Sequence, residues 1–449
     1  MVLNSKLRFL ILAGAIHVAL TTAIFLIGHF RVWPNRFDEN GTGITFAIDG
    51  KTYHQVAIEL VSEWKTNGFT AWLKTKAPLH SRLHSISFMM FGWLFGYNIL
   101  GAEPLNLFYF LGILSCIYFL GRELFDAQTG VLAAAIVSVW PTFLLHSTQL
   151  IRDPLSIACL LALMLVLTML LGREFVGAQA VLLGIAGAIL VTVFWLTRGN
   201  MWNVVIVAVA ITVVMLAARM IRARKFVKGN VFAMLLIIVA MVVVPSRLES
   251  TTLPGVRPPS TTLTIPSTIK QMSGRRAGFR SYTSQASNID EDVQFNSTGD
   301  VIRYLPRAFV IGFFAPFPNM WIEVGSFGRA HRVLSGVETF AMYFLYLAAA
   351  LCVWRERRNL KMWLLLLVAT TGMVALGLVV VNAGALFRIR YVFWMMLIVL
   401  AARELNRSYK SYRTYLTVRR TNSTKSRTSS SVVSNDAINR TSEISSFQT

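Results

Sequence analysis

Residues 9–30 read FLILAGAIHVALTTAIFLIGHF, an apolar run that decides the fold class. About 20 apolar residues in a helix cross the hydrocarbon core of a bilayer. The run follows Lys6 and Arg8, is longer than the core of a signal peptide and lacks a small-residue cleavage site. We therefore expect an uncleaved first membrane span whose N-terminal end lies in the cytoplasm.

The composition of the whole chain also indicates a membrane protein. Hydrophobic residues make up 55% of the 449 residues and charged residues 14%, whereas a soluble domain has roughly 25% charged residues. This balance excludes an ordinary soluble enzyme. The formal net charge is +22. Most basic residues stand at the ends of apolar runs or in the tail. We therefore expect them to determine the membrane topology next to anionic lipid rather than to bind nucleic acid.

Further apolar runs of spanning length follow the first one. We predict an all-α polytopic membrane protein with about ten transmembrane helices and two partial or re-entrant segments. The partial segments are 85–101, which is short and interrupted by glycine, and 306–320, which Pro316 and Pro318 break. The spans after the first are expected at 104–121, 130–146, 153–171, 178–197, 201–218, 229–245, 333–354, 361–381 and 391–404.

The basic loops predict the orientation of these spans. The run Arg219 to Lys225 and the run Arg355 to Arg358 should be cytoplasmic, because positive residues are retained on that side. Counting spans backward from the first of them places residues 31–103 outside. The same count places the turns at 152–153 and 198 outside.

The sequence divides into four regions. An N-terminal membrane module, 1–245, carries the long outer loop 31–84. An outer loop rich in Ser, Thr and Pro, 246–305, leads into a C-terminal membrane module, 306–404. The basic tail, 405–449, has few apolar residues and is predicted to be disordered in the cytoplasm.

One acid of the first outer loop stands at the start of an amphipathic helix. After Asp49, an apolar stripe at helical spacing is formed by Val56, Ala57, Leu60 and Val61. A carboxylate at a helix N-terminus is stabilised by the helix dipole, and at a membrane boundary it can reach a lipid headgroup. Asp49 is therefore either a helix cap or a catalytic residue.

A second outer acid stands in Arg152-Asp153-Pro154, between two short spans. Pro154 suits a first helical turn, with Asp153 as its cap. In the alternative interpretation, Asp153 pairs with Asp49 across a cavity, where the two carboxylates bind a cation or orient a hydroxyl group.

Arginines on the outer face are candidates for binding a phosphate. Arg198, Arg388 and Arg390 stand at turns that the span count places outside, where the positive-inside rule disfavours arginine. A guanidinium suits bidentate phosphate binding, and interfacial snorkelling is the alternative. Glu338, near the outer end of its span, is expected either to pair with one of these arginines or to end in solvent.

The segment KTKAPLHSRLH, residues 74–84, is dense in cations and imidazoles. His80 and Arg82 are candidates to contact the same phosphate, and His80 with His84 is a candidate pair of metal ligands at i and i+4. Because no third ligand stands near in sequence, we predict no metal site. His17, inside the first span, is expected to hydrogen-bond a neighbouring helix.

The first outer loop resembles a family motif. In the C-type membrane glycosyltransferase superfamily, the branch of protein O-mannosyltransferases and aminoarabinose transferases carries D-E-x-x-Y-x-x-x-A in that loop. Asp49, Tyr53 and Ala57 fit the spacing, and Gly50 stands in place of the second acid. Asp38-Glu39 is an acidic pair, but no Tyr and Ala follow it at the spacing of the motif. The remaining positions that resemble the family, within residues 8–200, are Phe91 to Asn98, Asn106, Tyr118, Gly121-Arg122, Pro141 and Arg152-Asp153.

The resemblance implies transfer of a sugar from a polyprenyl-phosphate or diphosphate carrier to an acceptor hydroxyl. Asp49 would be the general base, with Asp153 and Asp38 as the other catalytic candidates. No cofactor is required by such a mechanism, and a divalent cation is left open. Its partners are the lipid-linked donor, a glycan, lipid or protein acceptor, and membrane lipids. Substrate contacts are expected from Tyr53, His80, Arg82, Arg152, Arg198, Arg388 and Arg390.

The resemblance indicates an enzyme that assembles cell-surface glycans, glycoproteins or glycolipids. The sequence also leaves other functions open. A lipid-linked glycan polymerase or ligase belongs to the same class. A transporter or flippase buries acids near the bilayer midplane, and the predicted spans are nearly free of them. A non-catalytic scaffold of a polysaccharide export system would explain Gly50. We expect a bacterial inner membrane with the site on its periplasmic or extracellular face, and an ER or archaeal membrane is left open.

Overall fold

The structure, a computed structural model, describes residues 5–45, 48–248, 265–281, 287–322 and 329–417. Within these ranges the chain is nearly all helical, and its β pairing is limited to two isolated bridges. The helices are α1 (Ser5–His29), α2 (Ile48–Lys74), α3 (Leu79–Phe95), α4 (Ile99–Leu124), α5 (Ala127–Ser138), α6 (Pro141–Ser147), α7 (Asp153–Gly172), α8 (Ala178–Arg198), α9 (Trp202–Ala223), α10 (Lys228–Arg247), α11 (Ile265–Ser281), α12 (Thr298–Phe314), α13 (Arg329–Arg355), α14 (Leu360–Val379), α15 (Ala383–Ile389) and α16 (Tyr391–Thr417).

Polar residues start several of these helices by binding free backbone N–H groups. The side chain of Asn98 accepts from Leu100 N before α4, and that of Asp126 accepts from Thr129 N before α5. A capping box formed by Ser297 with an acid three residues later begins α12. Each cap satisfies donors that an apolar surrounding would leave unpaired.

Seven helical stretches in the described ranges are long and apolar enough to cross a membrane, and one of them comprises both α8 and α9. Two bent pairs, α5 with α6 and α15 with α16, bring the number to nine if each pair is one span. The predicted all-α membrane fold is therefore confirmed. The predicted count of ten spans stays a prediction.

The predicted span 130–146 is not one straight helix. The chain leaves the helix at Val139 and Trp140, and α6 starts with Pro141 at an angle of 73° to α5. Proline suits the first helical position, where its missing N–H would have no partner. The break between α5 and α6 therefore lies where Pro141 favours the start of a new helix.

The two predicted partial segments have different structures. Segment 85–101 joins the end of α3 to the start of α4 through Gly96, which has a φ of 79° that favours glycine. The outward face of α3 is apolar, and Trp93 is 82% exposed. Segment 306–320 comprises the second half of α12 and the short 3₁₀ helix Pro318–Met320.

The outer loop 246–305 and the tail also contain helix. The loop includes α11 and the first turns of α12, and its residues 249–264 and 282–286 lie outside the described ranges. The last helix, α16, continues to Thr417, so residues 405–417 of the predicted disordered tail are helical. The prediction for residues 418–449 lies outside the described ranges.

The first half of α16 lies in the middle of the bundle. All residues from 391 to 402 are buried, so this part of the helix contacts protein on every side. A helix that is hydrophobic all round is one that the rest of the protein encloses. The short helix before it, α15, contacts the starts of α2 and α7 through Arg388, and the candidate site lies there.

Glycines allow a close helix contact near the other end of the bundle. A Cβ atom added to Gly121 of α4 would stand 2.6 Å from the Cα atom of Gly130 in α5. Small residues let two helix backbones approach closely where no larger side chain fits. A larger residue at Gly121 would force α4 and α5 apart.

Candidate functional site

Two helix starts place carboxylates at one site. Asp49 is in the first turn of α2, and Asp153 is the first residue of α7, followed by Pro154. The N-cap position of α7 is Arg152, and no side-chain hydrogen bond caps this helix. The carboxylate of Asp153 instead pairs with two arginines, so Asp153 is not the simple helix cap that was one of the alternatives.

Arg388 of α15 lies between the two carboxylates. Its Nη2 donates to Asp49 Oδ2 at 2.5 Å, and its Nε lies 3.2 Å from Asp153 Oδ2. The Nε contact is an ion pair without the alignment of a hydrogen bond. The Asp49 side chain is 41% exposed and that of Asp153 is 3% exposed. Asp49 is therefore the carboxylate that a substrate can reach.

Two further arginines complete the positive side of the site. Arg198, the last residue of α8, is buried, and its Nη2 donates to Asp153 Oδ1. Arg152 precedes α7 and lies close enough to Asp153 and Arg198 to interact with both electrostatically. We call Asp49, Arg152, Asp153, Arg198 and Arg388 the outer cluster.

The outer cluster has a surplus of positive charge and free donors. Two carboxylates face three guanidinium groups, which leaves one positive charge uncompensated. The Nε atoms of Arg152, Arg198 and Arg388 are buried, and none has a hydrogen-bond partner among the described residues. An unpaired buried donor costs roughly 1–3 kcal/mol. An anion bound here would supply both the missing charge and the missing acceptors.

Two neutral side chains line the cluster. Tyr53, one turn after Asp49 on α2, packs edge-on against His80 with ring centroids 4.2 Å apart. Burial lowers the pKa of His80 well below its usual value, with contributions from His84 and Arg152, and burial raises the pKa of Tyr53. Both side chains are therefore neutral near pH 7. Neither ring nitrogen of His80 meets an acceptor or donor in the described part of the chain.

The structure brings together most of the predicted site residues: Asp49, Tyr53, His80, Arg152, Asp153, Arg198 and Arg388. Three others lie elsewhere. Asp38 contacts Thr42 and, at 4.0 Å, Lys51 within the outer loop. Arg82 donates to the backbone carbonyls of Trp72 and Leu73 and stacks on the Trp72 ring. It therefore attaches the C-terminal end of α2 to α3.

Arg390 is the third residue outside the outer cluster. It is fully buried, donates to Gly312 O at 3.3 Å and stacks on Trp394 at 4.1 Å from the ring centroid. Residues two apart on a helical turn do not face the same side. Arg388 and Arg390 therefore cannot both point at one phosphate from this turn.

Glu338 differs from its prediction. It is buried, and it accepts hydrogen bonds from the backbone N–H and the hydroxyl of Thr142. The expectation of a solvated end was wrong. The hydrogen bonds come from Thr142, and Arg390, one of the three candidate arginines, lies close enough to interact with Glu338 electrostatically. Thr142 in turn accepts from the Tyr391 hydroxyl at 2.6 Å. No sequence signal near Glu338 pointed to this buried network between α6, α13 and α16.

The prediction for His17 is confirmed. Its Nδ1 lies 2.7 Å from Glu103 Oε1 of α4, and its Nε2 lies 3.0 Å from Ser147 Oγ of α6. Glu103 also accepts from Thr21 of α1 at 2.7 Å. These hydrogen bonds attach the first helix to the bundle.

The donor groups of the outer cluster are arranged for pairing with arginine rather than for holding a metal ion. Within the described ranges no three His, Cys, Asp or Glu side chains converge to hold one. The two carboxylates that come together, Asp49 and Asp153, are both paired with Arg388. His84, the second half of the candidate histidine pair, bonds His80 O and, at 3.1 Å, Asn106 Oδ1.

Comparisons with known proteins find similar solved structures but no match among protein-family models or curated proteins. No protein-family model matches the chain, and no curated protein matches it. The apo crystal structure of the Archaeoglobus fulgidus oligosaccharyltransferase is similar with a TM-score of 0.45 and 12% identity, over 91% of this chain and 52% of that chain. The archaeal oligosaccharyltransferase AglB from Archaeoglobus fulgidus, in complex with an inhibitory peptide and a dolichol-phosphate, is similar with a TM-score of 0.41 and 14% identity. This similarity covers 77% of this chain and 44% of that chain. The chain thus spans about half the length of the solved structures to which it is similar.

Proposed function

We propose that this protein is a membrane glycosyltransferase. It transfers a sugar from a polyprenyl-phosphate or diphosphate carrier to an acceptor hydroxyl on the non-cytoplasmic face, in the assembly of cell-surface glycans, glycoproteins or glycolipids. The observation that carries the proposal is the outer cluster, where a reachable carboxylate adjoins arginines with surplus charge and free N–H donors. These are the two kinds of group that such a transfer needs.

Asp49 is the general base in this proposal. Its carboxylate takes the proton of the acceptor hydroxyl, while the hydroxyl oxygen forms a bond to the anomeric carbon of the sugar. The bond between that carbon and the phosphate oxygen breaks, and its electron pair leaves with the phosphate. Asp49 then releases the proton to solvent, to which its 41% exposed side chain has access.

Asp153 has a different role, because it is enclosed by cations. It is 3% exposed and pairs with both Arg198 and Arg388. A carboxylate in that position cannot reach an acceptor hydroxyl. We assign it as a positioning residue that fixes the two guanidinium groups relative to Asp49.

The arginines bind the leaving group. Phosphate oxygens accept charge-assisted hydrogen bonds from guanidinium N–H groups, and such bonds are about twice as strong as neutral ones. Arg152 and Arg388 are partly exposed and can meet the phosphate, whereas Arg198 is as buried as Asp153 and adds its charge to the site. The ion pairs of Arg388 with Asp49 and Asp153 hold its guanidinium in place before the phosphate arrives. Donors fixed in advance stabilise the charge that develops on the leaving oxygen without reorganisation.

The test is sugar transfer by the purified full chain. Radiolabelled sugar on crude polyprenyl-phosphate donors is offered with a panel of acceptors to the wild type, Asp49→Asn, Asp38→Asn and Glu59→Gln. Glu59 is an exposed acid on the same helix as Asp49 and is the matched control. We expect Asp49→Asn to lose transfer by about 10²-fold or more, with Asp38→Asn and Glu59→Gln near the wild type.

Other results would contradict the proposal in defined ways. Equal transfer by Asp49→Asn and the wild type would remove Asp49 as the base. No transfer by the wild type over the whole donor and acceptor panel would favour a transporter or a scaffold. A chelator is expected to leave transfer unchanged, since both carboxylates of the outer cluster are paired with arginine.

A further inference from the structure

We infer that the carrier phosphate displaces Asp49 from Arg388, so that the general base becomes free only after the donor has bound. This inference rests on the proposed function, since it assumes a phosphate-bearing donor and Asp49 as the base. It adds an order of binding, in which the donor binds before the acceptor. It also assigns Arg388 a second role, which is to hold Asp49 until the donor binds.

The first step is that Arg388 is already occupied. Its one positive charge is shared between Asp49 at Nη2 and Asp153 at Nε. A phosphate that pairs with this guanidinium approaches an arginine that carries two carboxylates. The surplus charge of the outer cluster attracts the phosphate, but to use Arg388 as well the phosphate has to take an N–H group from one of the two carboxylates, because like charges this close repel each other.

The second step is that the two carboxylates are not equally held. Asp153 is 3% exposed and has a second ion pair with Arg198. Asp49 is 41% exposed, and its ion pair is with Arg388. A released Asp49 carboxylate can be solvated by water, whereas a released Asp153 would be a buried unpaired charge at a cost of several kcal/mol. The phosphate therefore replaces Asp49.

The third step is that the replacement frees the oxygen that does the chemistry. While Asp49 Oδ2 accepts the N–H of Arg388, that oxygen is not available to an acceptor hydroxyl. Once the phosphate has taken the guanidinium, Asp49 lies next to the bound donor with both oxygens free. An acceptor that arrives before the donor meets a base that is still paired.

The competition has a consequence that can be measured as binding. If the phosphate and Asp49 compete for Arg388, removal of the Asp49 charge must tighten phosphate binding, because the phosphate no longer has to break the ion pair between Asp49 and Arg388. Asp49→Asn would thus lose transfer and gain affinity for the carrier phosphate. General damage to the site lowers affinity and does not raise it.

The experiment measures binding of a short-chain polyprenyl monophosphate without sugar to the full chain in detergent, by isothermal titration calorimetry. The unphosphorylated polyprenol is the ligand control, and Glu59→Gln is the protein control. We expect Asp49→Asn to bind the monophosphate at least about fivefold more tightly than the wild type. Asp49→Ser carries the same expectation if Asp49→Asn does not fold. Arg388→Gln should bind it more weakly, and Glu59→Gln should match the wild type.

Each remaining outcome overturns the inference. If the wild type prefers the monophosphate to the polyprenol and Asp49→Asn binds it equally or more weakly, the displacement is wrong and the proposed function stands. If Arg388→Gln binds as tightly as the wild type, the phosphate does not use Arg388. If neither the wild type nor Asp49→Asn distinguishes the monophosphate from the polyprenol, both the inference and the proposed donor class fail.

Discussion

Two groups of charged residues lie at opposite ends of α7. The outer cluster is at its first residue, Asp153. Near its last residue, Gly172, lies a second group that we call the inner network. The inner network consists of Glu123, Asp126, Arg173, Arg355, Glu356, Lys361, Arg403, Glu404 and Lys410.

The two groups differ in how completely their members are paired. The inner network has four acids and five bases, and each is in an ion pair. None of the buried, unpartnered side-chain atoms of the described residues belongs to it. The outer cluster also has one more cation than acids, but three of its buried guanidinium N–H donors have no hydrogen-bond partner among the described residues. A fully paired group holds helices together, whereas a group with buried unpaired donors is suited to bind an anion.

The largest expected effect comes from breaking the buried pair of the outer cluster. Asp153→Asn leaves Arg198 buried without its carboxylate, which should lower the free energy of unfolding by about 3–5 kcal/mol and abolish transfer. Unfolding by denaturant in detergent and transfer per folded molecule are the two measurements. The double variant Asp153→Asn with Arg198→Gln removes both charges, so it should recover much of the stability and none of the transfer. A double variant as unstable as Asp153→Asn would contradict this explanation.

A smaller effect is expected from breaking the inner network. Arg403 pairs with Asp126 and Glu356 and is partly exposed. Arg403→Gln should lower the free energy of unfolding by about 1 kcal/mol or less, and transfer per folded molecule should match the wild type. A loss of transfer larger than the loss of folded protein would show that the two ends are not functionally separate.

The smallest effect is expected from an acid on the predicted outer side that is fully paired. Asp290 accepts hydrogen bonds from Arg307 at 2.8 Å and from Tyr304 at 2.9 Å, and the bond from Arg307 lowers the pKa of Asp290. A carboxyl whose pKa is lowered by folding stabilises the protein above its unfolded pKa, and this stability is lost as the pH falls through the folded pKa. We therefore expect part of the acid sensitivity of the thermal midpoint below about pH 4 to disappear in Arg307→Gln. Identical acid profiles would contradict this assignment.

The sequence predicted the acid-bearing half of the site because that half has local patterns. Asp49 begins an amphipathic stripe, and Asp153 stands between an arginine and a proline. The apolar runs predicted the helices for the same reason, and Pro141 marked the break that the span prediction passed over.

The pairing within the site could not be predicted. Asp49 and Arg388 are 339 residues apart in sequence, and no local pattern links residues at that separation. The same limit applies to Glu338, whose donor Thr142 lies 196 residues away. Arg390 could have been separated from Arg388 by helical geometry, since residues two apart point to different sides.

The complete enclosure of residues 391–402 also bears on how the protein is made. The helix is apolar enough to enter a bilayer by itself, but the place that it fills in the middle of the bundle is formed by helices that precede it in the chain, so we expect α16 to dock after those helices have inserted. Arg388 lies in α15, three residues before the first residue of α16. Asp49 and Asp153 therefore lack their common arginine until α16 has docked, and we expect the proposed transfer to begin only after that step.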